Sequence, residues 1–215
     1  MMNLEALRWG PASKGKPKQL VLLCHGLGAD CHDLIDLAHA WQHAVPDAVF
    51  ASVDAPFHHD SGFGRQWYSV ADRTPSVIEA GTRNAAPFLD TFIDAELARL
   101  ELPADAYAIM GFSQGAMMSL FTGLRRKAAP RAILAYSGAL IAPGSLMAEI
   151  ANKAPVLLVH GEADDVVPAD RSREAKSALV AAGVPVEAHF IPRIGHGIDE
   201  EGISFGALAL QKGFT

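Results

Sequence analysis

Short apolar runs recur along this chain: "QLVLLC" (Gln19 to Cys24), "AVFASV" (Ala48 to Val53), "AYAIMGF" (Ala106 to Phe112), "RAILAYSG" (Arg131 to Gly138), "APVLLVHG" (Ala154 to Gly161) and "VEAHFIP" (Val186 to Pro192). Most show no alternation of polar and apolar residues, which suits parallel strands covered on both faces. The stretches between them carry helical spacing. One predicted helix runs from Ser76 to Leu100, opened by a capping box of Ser76 and Glu79, with Leu89, Phe92, Ile93, Leu97 and Leu100 on one stripe. Pro87 is expected to break or kink its first half. Further helices follow Ser113 through "MMSLFTGL", span "ADRSREAKSALVAAG" up to Gly183, and cover "EEGISFGALALQKGF". Strands alternating with helices predict an α/β fold: a mostly parallel central sheet with helices on both faces.

With 215 residues, half of them hydrophobic, the chain can bury a full core, and no linker, repeat or low-complexity segment divides it. One domain over residues 1–215 is expected. The formal net charge of -6 supplies no basic stripe for a phosphate backbone, which argues against nucleic acid as a partner. The N-terminus lacks the apolar core of a signal peptide, and no apolar run nears the roughly 20 residues of a membrane span. A cytoplasmic protein without stable membrane insertion is expected, with Cys24 and Cys31 as reduced thiols.

The stretch "MGFSQGA" (Met110 to Ala116) sets Ser113 between two glycines where a strand gives way to a helix. Such an abrupt turn strains the serine backbone and presses neighbouring chain against it, so side chains at Gly111 or Gly115 would collide. The pattern G-x-S-x-G reads as a nucleophile elbow that exposes the hydroxyl and aims the Gln114 amide at the same point. A serine that merely caps a helix is the competing reading, and the rest of the chain weighs against it. An elbow serine needs a histidine to take its proton and a carboxylate to orient that histidine, in the chain order serine, acid, histidine. Asp164 and Asp165 follow the strand "APVLLVHG", and His196 follows the strand "VEAHFIP", between Gly195 and Gly197. Each alone could be a capping or packing residue; together, in that order at strand ends, they read as a triad.

A second oxyanion donor is offered by "CHGLGAD" (Cys24 to Asp30), whose Leu27 amide is placed to complete the hole with Gln114. A phosphate loop is excluded because the stretch lacks the lysine of G-x-x-x-x-G-K-[ST] and the third glycine of a dinucleotide fingerprint. The long unpatterned loop from Asp54 to Ser76 is expected to border the site, with Phe63, Trp67 and Tyr68, beside Phe57, as candidate pocket walls. His58, His59 and Asp60 do not have metal-ligand spacing, so no metal is expected. His25 reads as a structural hydrogen bonder. Acyl transfer by these groups calls for no cofactor.

Taken together, "HGLGAD", "GFSQGA", "HGEADDVVP" and "GHGID" resemble the carboxylesterase/phospholipase family of small serine hydrolases, which includes the acyl-protein thioesterases. The resemblance runs from Leu20 to Phe214. It implies an α/β-hydrolase fold without a cap domain and hydrolysis of carboxylic esters or thioesters. By position it implies Ser113 as nucleophile, His196 as base, Asp164 rather than Asp165 as the acid, and Leu27 and Gln114 as oxyanion amides. Two departures fall in the loops: Cys31 and His32 after "GLGAD", and Ser69 in "GRQWYSV" where an aspartate is frequent. The expected substrates are short to medium acyl esters, lysophospholipids among them, with acyl thioesters as the alternative, and the reading admits a homodimer. A fold that only binds a ligand would be expected to carry a broken triad, and a dienelactone-type hydrolase to carry cysteine at the elbow.

Overall fold

The computed structural model describes residues 4–215. In chain order the elements are β1 (Ala6–Trp9), β2 (Gln19–Cys24), α1 (Leu37–Trp41), β3 (Ala48–Val53), β4 (Phe57–His58), β5 (Arg65–Gln66), α2 (Pro75–Arg99), β6 (Tyr107–Phe112) and α3 (Gln114–Arg125). They continue with β7 (Ile133–Tyr136), a 3-10 turn (Pro143–Ser145), α4 (Leu146–Glu149), β8 (Val156–Gly161), α5 (Asp170–Ala181), β9 (Val186–Ile191) and α6 (Glu200–Phe214). Seven strands form one sheet in the order β1-β3-β2-β6-β7-β8-β9, parallel except for β1, which runs antiparallel to β3. This is the α/β-hydrolase arrangement.

Alternate residues of one strand feed opposite cores, which is why the central strands read as unbroken apolar runs. Leu20, Leu22 and Cys24 of β2 pack with Leu89 and Ile93 of α2, Met118 of α3 and Leu179 of α5. Val21 and Leu23 pack on the other face with Trp41 of α1 and Leu210 of α6. The parallel register sets Cys24 beside Gly111, Phe112 beside Tyr136, and Gly161 beside Ile191. The loops after β2, β6, β8 and β9 therefore emerge on one edge, the edge where open α/β sheets bind ligands.

Three features differ from the sequence reading. β1 was not anticipated; it is a four-residue edge strand, half-buried, tied to α2 by Arg8 donating to the buried Glu96 carboxylate. Helix α2 starts at Pro75 with Thr74 at the N-cap, so Ser76 and Glu79 form no capping box, and Glu79 instead pairs with Arg83. α2 also runs through Pro87 without ending, because buried residues on both sides, Ala85, Ala86, Leu89 and Phe92, hold the two halves to the sheet. Between β7 and β8 lie the 3-10 turn and the short α4, pinned where Glu149 accepts from Arg83 and Arg125. Among the described residues no cap domain covers the sheet edge.

Candidate active site

One residue separates β6 from α3. That residue, Ser113, has φ 54° and ψ -118°, a conformation that non-glycine residues seldom adopt and that costs about 1–3 kcal/mol. Its amide donates to the Tyr136 carbonyl at 2.9 Å, and its own carbonyl accepts from the Ala116 and Met117 amides at 3.0 and 3.2 Å. These bonds hold the strained turn. The flanking glycines are needed for contact: a Cβ on Gly111 would collide with the Gly115 carbonyl, and one on Gly115 with the Cys24 and His25 carbonyls. The elbow is thus wedged against the end of β2.

The two candidate acids separate clearly. Asp165 is exposed, and among the described residues nothing bonds to its carboxylate. Asp164 is buried and fully engaged: Oδ1 accepts from the Val166 and Val167 amides at 2.9 and 2.8 Å, and Oδ2 lies 2.7 Å from Nδ1 of His196. Burial pushes the Asp164 carboxyl up, but the hydrogen bonds from His196 and from the Val167 and Val166 amides outweigh it and hold it below its ordinary value. The ionised form is the one the fold favours. Its contribution to stability is therefore present above the ordinary carboxylate pKa of about 4 and is lost as pH falls through the depressed one.

His196 lies in the loop between β9 and α6, its ring 4.8 Å, centroid to centroid, from that of Phe112. The acid and histidine loops are joined by Ala163 N–H donating to the Ile194 carbonyl and Glu162 N–H to the Ile191 carbonyl, each at 2.9 Å. With Nδ1 bound to Asp164, the other ring nitrogen of His196 is left for a proton acceptor's role. The sequence reading missed His160, the histidine of "HGEADD". Its side chain is completely buried, Nε2 lying 2.8 Å from the Val167 carbonyl and 3.2 Å from Asp164 Oδ2, and Nδ1 2.7 Å from the Ser172 hydroxyl. Burial pushes this imidazole down, which favours its neutral form; its Nε2 hydrogen bond goes to the Val167 carbonyl, with the Asp164 carboxylate alongside. The motif gave the signal, but Ser172 and Val167 become its neighbours only in the fold.

The loop carrying Leu27 is fastened from outside. Gly28 N–H donates to the Arg65 carbonyl and Arg65 N–H to the Ala29 carbonyl, each at 2.8 Å, so the β4–β5 hairpin inside the long Asp54–Ser76 loop braces it. The amide of Leu27 donates to no group among the described residues, and that of Gln114, first in α3, has no acceptor within its helix. The Gln114 side chain meanwhile accepts from Trp67 N–H and donates to the Tyr68 carbonyl, each at 2.8 Å. His25 bonds as a structural residue, Nδ1 to the Gly26 carbonyl and Nε2 to the Ala55 amide.

Of the four aromatic pocket candidates, the structure brings only Tyr68 to the cavity that Ser113 lines, and Phe57 packs edge-on against Phe88. Trp67 is fully buried and donates Nε1–H to the His25 carbonyl, so it anchors the loop to the core. Phe63 is 84% exposed at the hairpin tip and lines no cavity described here. The departures are also accounted for. Cys31 donates its amide to Asp54, and its thiol is pushed up to about 11, chiefly by burial and then by Asp54, which disfavours the thiolate. Ser69 donates to Asp60 at 2.5 Å. Both cysteines are free. Of ligand-type side chains among the described residues, Asp30, Cys31 and His32 gather most closely, their donor atoms within 4.8 Å of one another.

Ser113, His196, Leu27 and Gln114 line one cavity of about 430 Å³, whose remaining wall is mostly apolar, with Ile78, Met117, Ile141 and Val167. A second cavity, about 380 Å³, adjoins the other side of His196 and carries Asp33 and Asp36. The largest cavity, about 1060 Å³, lies by Arg131, Pro155 and Pro185 at the opposite edge of the sheet and contains none of these groups.

Residues 11–212 match the family described as Phospholipase/Carboxylesterase. The chain belongs to this family. It is a hydrolase of that family's type. Esterase YpfH of Escherichia coli is 28% identical over 194 residues, covering 90% of this chain and 82% of its own. Acyl-protein thioesterase 1 of Schizosaccharomyces pombe is 30% identical over 175 residues, covering 74% and 75%. Among solved structures, esterase PE8 superposes with a TM-score of 0.93 at 38% identity, covering 98% of this chain and 99% of that one. No helix among the described residues is long and apolar enough to cross a membrane.

Proposed function

We propose that the protein hydrolyses carboxylic esters of short to medium acyl chains, lysophospholipids among them, through an acyl-enzyme on Ser113. The observation that carries this reading is the convergence of the strained Ser113 and the Asp164-bound His196 on one apolar cavity. In the first step the free ring nitrogen of His196 takes the Ser113 proton as Oγ attacks the acyl carbon, and the Leu27 and Gln114 amides receive the oxyanion. On collapse, the bond to the leaving oxygen or sulfur breaks and His196 protonates it. A water then loses its proton to His196, attacks the acyl carbon and releases the acid, with the proton returning to Ser113. Asp164 keeps the imidazole in the correct tautomer throughout. The thioester alternative is supported by the relative named acyl-protein thioesterase 1 and uses the same groups. The two free cysteines support a cytoplasmic location.

The test is turnover of matched p-nitrophenyl esters and acyl-CoA or S-acyl peptide thioesters, from two-carbon to long chains, with Ser113→Ala as the blank. Serine-dependent turnover of esters supports the reading; preference for long acyl thioesters moves it to the alternative; no turnover above the blank overturns both and leaves a ligand binder. His160 enters as a positioning residue. Replacing it with leucine leaves the carbonyl of Val167, whose amide holds Asp164, without its donor, at about 1–3 kcal/mol, and should lower kcat about tenfold to a hundredfold. His160→Gln, which retains a donor, should recover part of it. Equal kcat values in wild type and the leucine variant would refute the role.

A further inference from the structure

The cavity that holds Ser113 is unusual in its charge. Its walls are largely apolar, and besides His196 the ionisable side chains that line it without being buried in its wall are Arg73 and Arg171. No carboxylate lines it. Arg73 has no ion-pair partner among the described residues, and Arg171 has only the exposed Glu174, 3.1 Å away. The two guanidiniums approach from different elements: Arg73 sits just before the start of α2, and Arg171 in the first turn of α5. The first turns of α2, α3 and α5 all contribute lining residues, Ile78, Met117 and Arg171, so the positive ends of these helix dipoles add to the same field. An apolar channel with positive charge and no counter-charge is complementary to an apolar chain that carries a negative group.

The second cavity places that negative group on the substrate. It meets the first at His196, the residue that must protonate the leaving atom, and its charged lining residues are Asp33 and Asp36, with no lysine or arginine. An anionic leaving group would be repelled there. The anion therefore belongs on the acyl side.

We propose that the site prefers esters or thioesters whose acyl chain ends in a carboxylate, that is, half-esters of dicarboxylic acids, with Arg73 and Arg171 receiving the far carboxylate. This inference rests on the function proposed above and names its substrate class. The acyl bond broken and the proton transfers are unchanged; only the far end of the chain differs. Arginine suits this task because its fork of donors matches a carboxylate and is always charged.

The experiment compares p-nitrophenyl octanoate with the p-nitrophenyl monoester of suberic acid, equal in carbon count and different by one carboxylate. The wild-type protein is expected to show a higher kcat/KM for the monosuberate than for octanoate at low salt, and an equal or lower value overturns the preference. The ratio should fall with added salt, and in Arg73→Glu/Arg171→Glu it should fall about tenfold or more, as expected for lost charge-assisted hydrogen bonds. Lys127→Glu/Lys153→Glu, at the opposite edge of the sheet, makes the same change in net charge and should leave the ratio unchanged. A third substrate, 3-carboxy-4-nitrophenyl octanoate, puts the charge on the leaving group and should gain nothing from the two arginines. A wild-type preference for octanoate, a ratio unaffected by the double charge reversal, or arginine dependence confined to the third substrate overturns this inference alone. Absence of Ser113-dependent turnover of every ester removes the proposed function with it.

Discussion

Ser113→Ala is expected to lower ester turnover by about ten-thousandfold to a millionfold, to the residual rate supplied by binding and the oxyanion amides. The size follows from the proposed acyl-enzyme: neither free cysteine offers a substitute for the Ser113 hydroxyl, since the Cys31 thiol is pushed up to about 11 and Cys24 is buried in the core. The variant should fold, because alanine occupies the same volume and the bonds that fix the turn come from backbone groups. Ser113→Gly carries a second expectation. Glycine adopts φ 54° without a Cβ penalty, so this variant should be inactive and more stable than wild type by about 1–2 kcal/mol. A glycine variant no more stable than the alanine variant would show that the elbow stores no strain.

The Asp164→Asn variant is the second large effect. An amide in that place offers His196 Nδ1 a donor as readily as an acceptor, so the imidazole loses its enforced tautomer and its countercharge; a drop of about ten-thousandfold in kcat is expected. The neighbouring Asp165→Asn should change kcat by less than about threefold, as surface substitutions usually do. The contrast rests on one geometric fact, that two amides and His196 bond to Asp164 while Asp165 faces solvent. Equal losses in both variants, or a larger loss at Asp165, would move the acid by one position. Folding should be followed alongside, since Asp164 also organises the turn into α5.

What the sequence revealed and concealed follows from the range of the interactions. The parallel strands were legible because burial on both faces removes polar residues from Leu20–Cys24 and Val156–Val159 altogether. The elbow was legible because the close approach of Gly111 and Gly115 to backbone leaves no room for other residues. β1 was not: a strand of four residues covered on one side carries too little pattern, and its anchor, Glu96, lies far along the chain. The start of α2 was misplaced because Pro75 serves as the first helical residue, where a missing N–H costs nothing. Within the site, Ser113, Asp164 and His196 follow strand ends and could be located by order. The aromatic wall could not. Whether Trp67 faces substrate or core is decided by the distant Gln114 side chain and the His25 carbonyl, and Phe63 is carried outward by the β4–β5 hairpin. His160 was hidden for the same reason, its partners being assembled by the packing of α5 on β8.

The central claim is that Ser113 is the nucleophile of an acyl-transfer site, and covalent labelling tests it most directly. The protein would be treated with a fluorophosphonate at neutral pH, its intact mass measured, and the modified peptide mapped. The account predicts one adduct per chain, on the peptide containing Ser113, formed by wild type and absent from Ser113→Ala. An adduct on any other residue, or labelling that persists in the alanine variant, would contradict it.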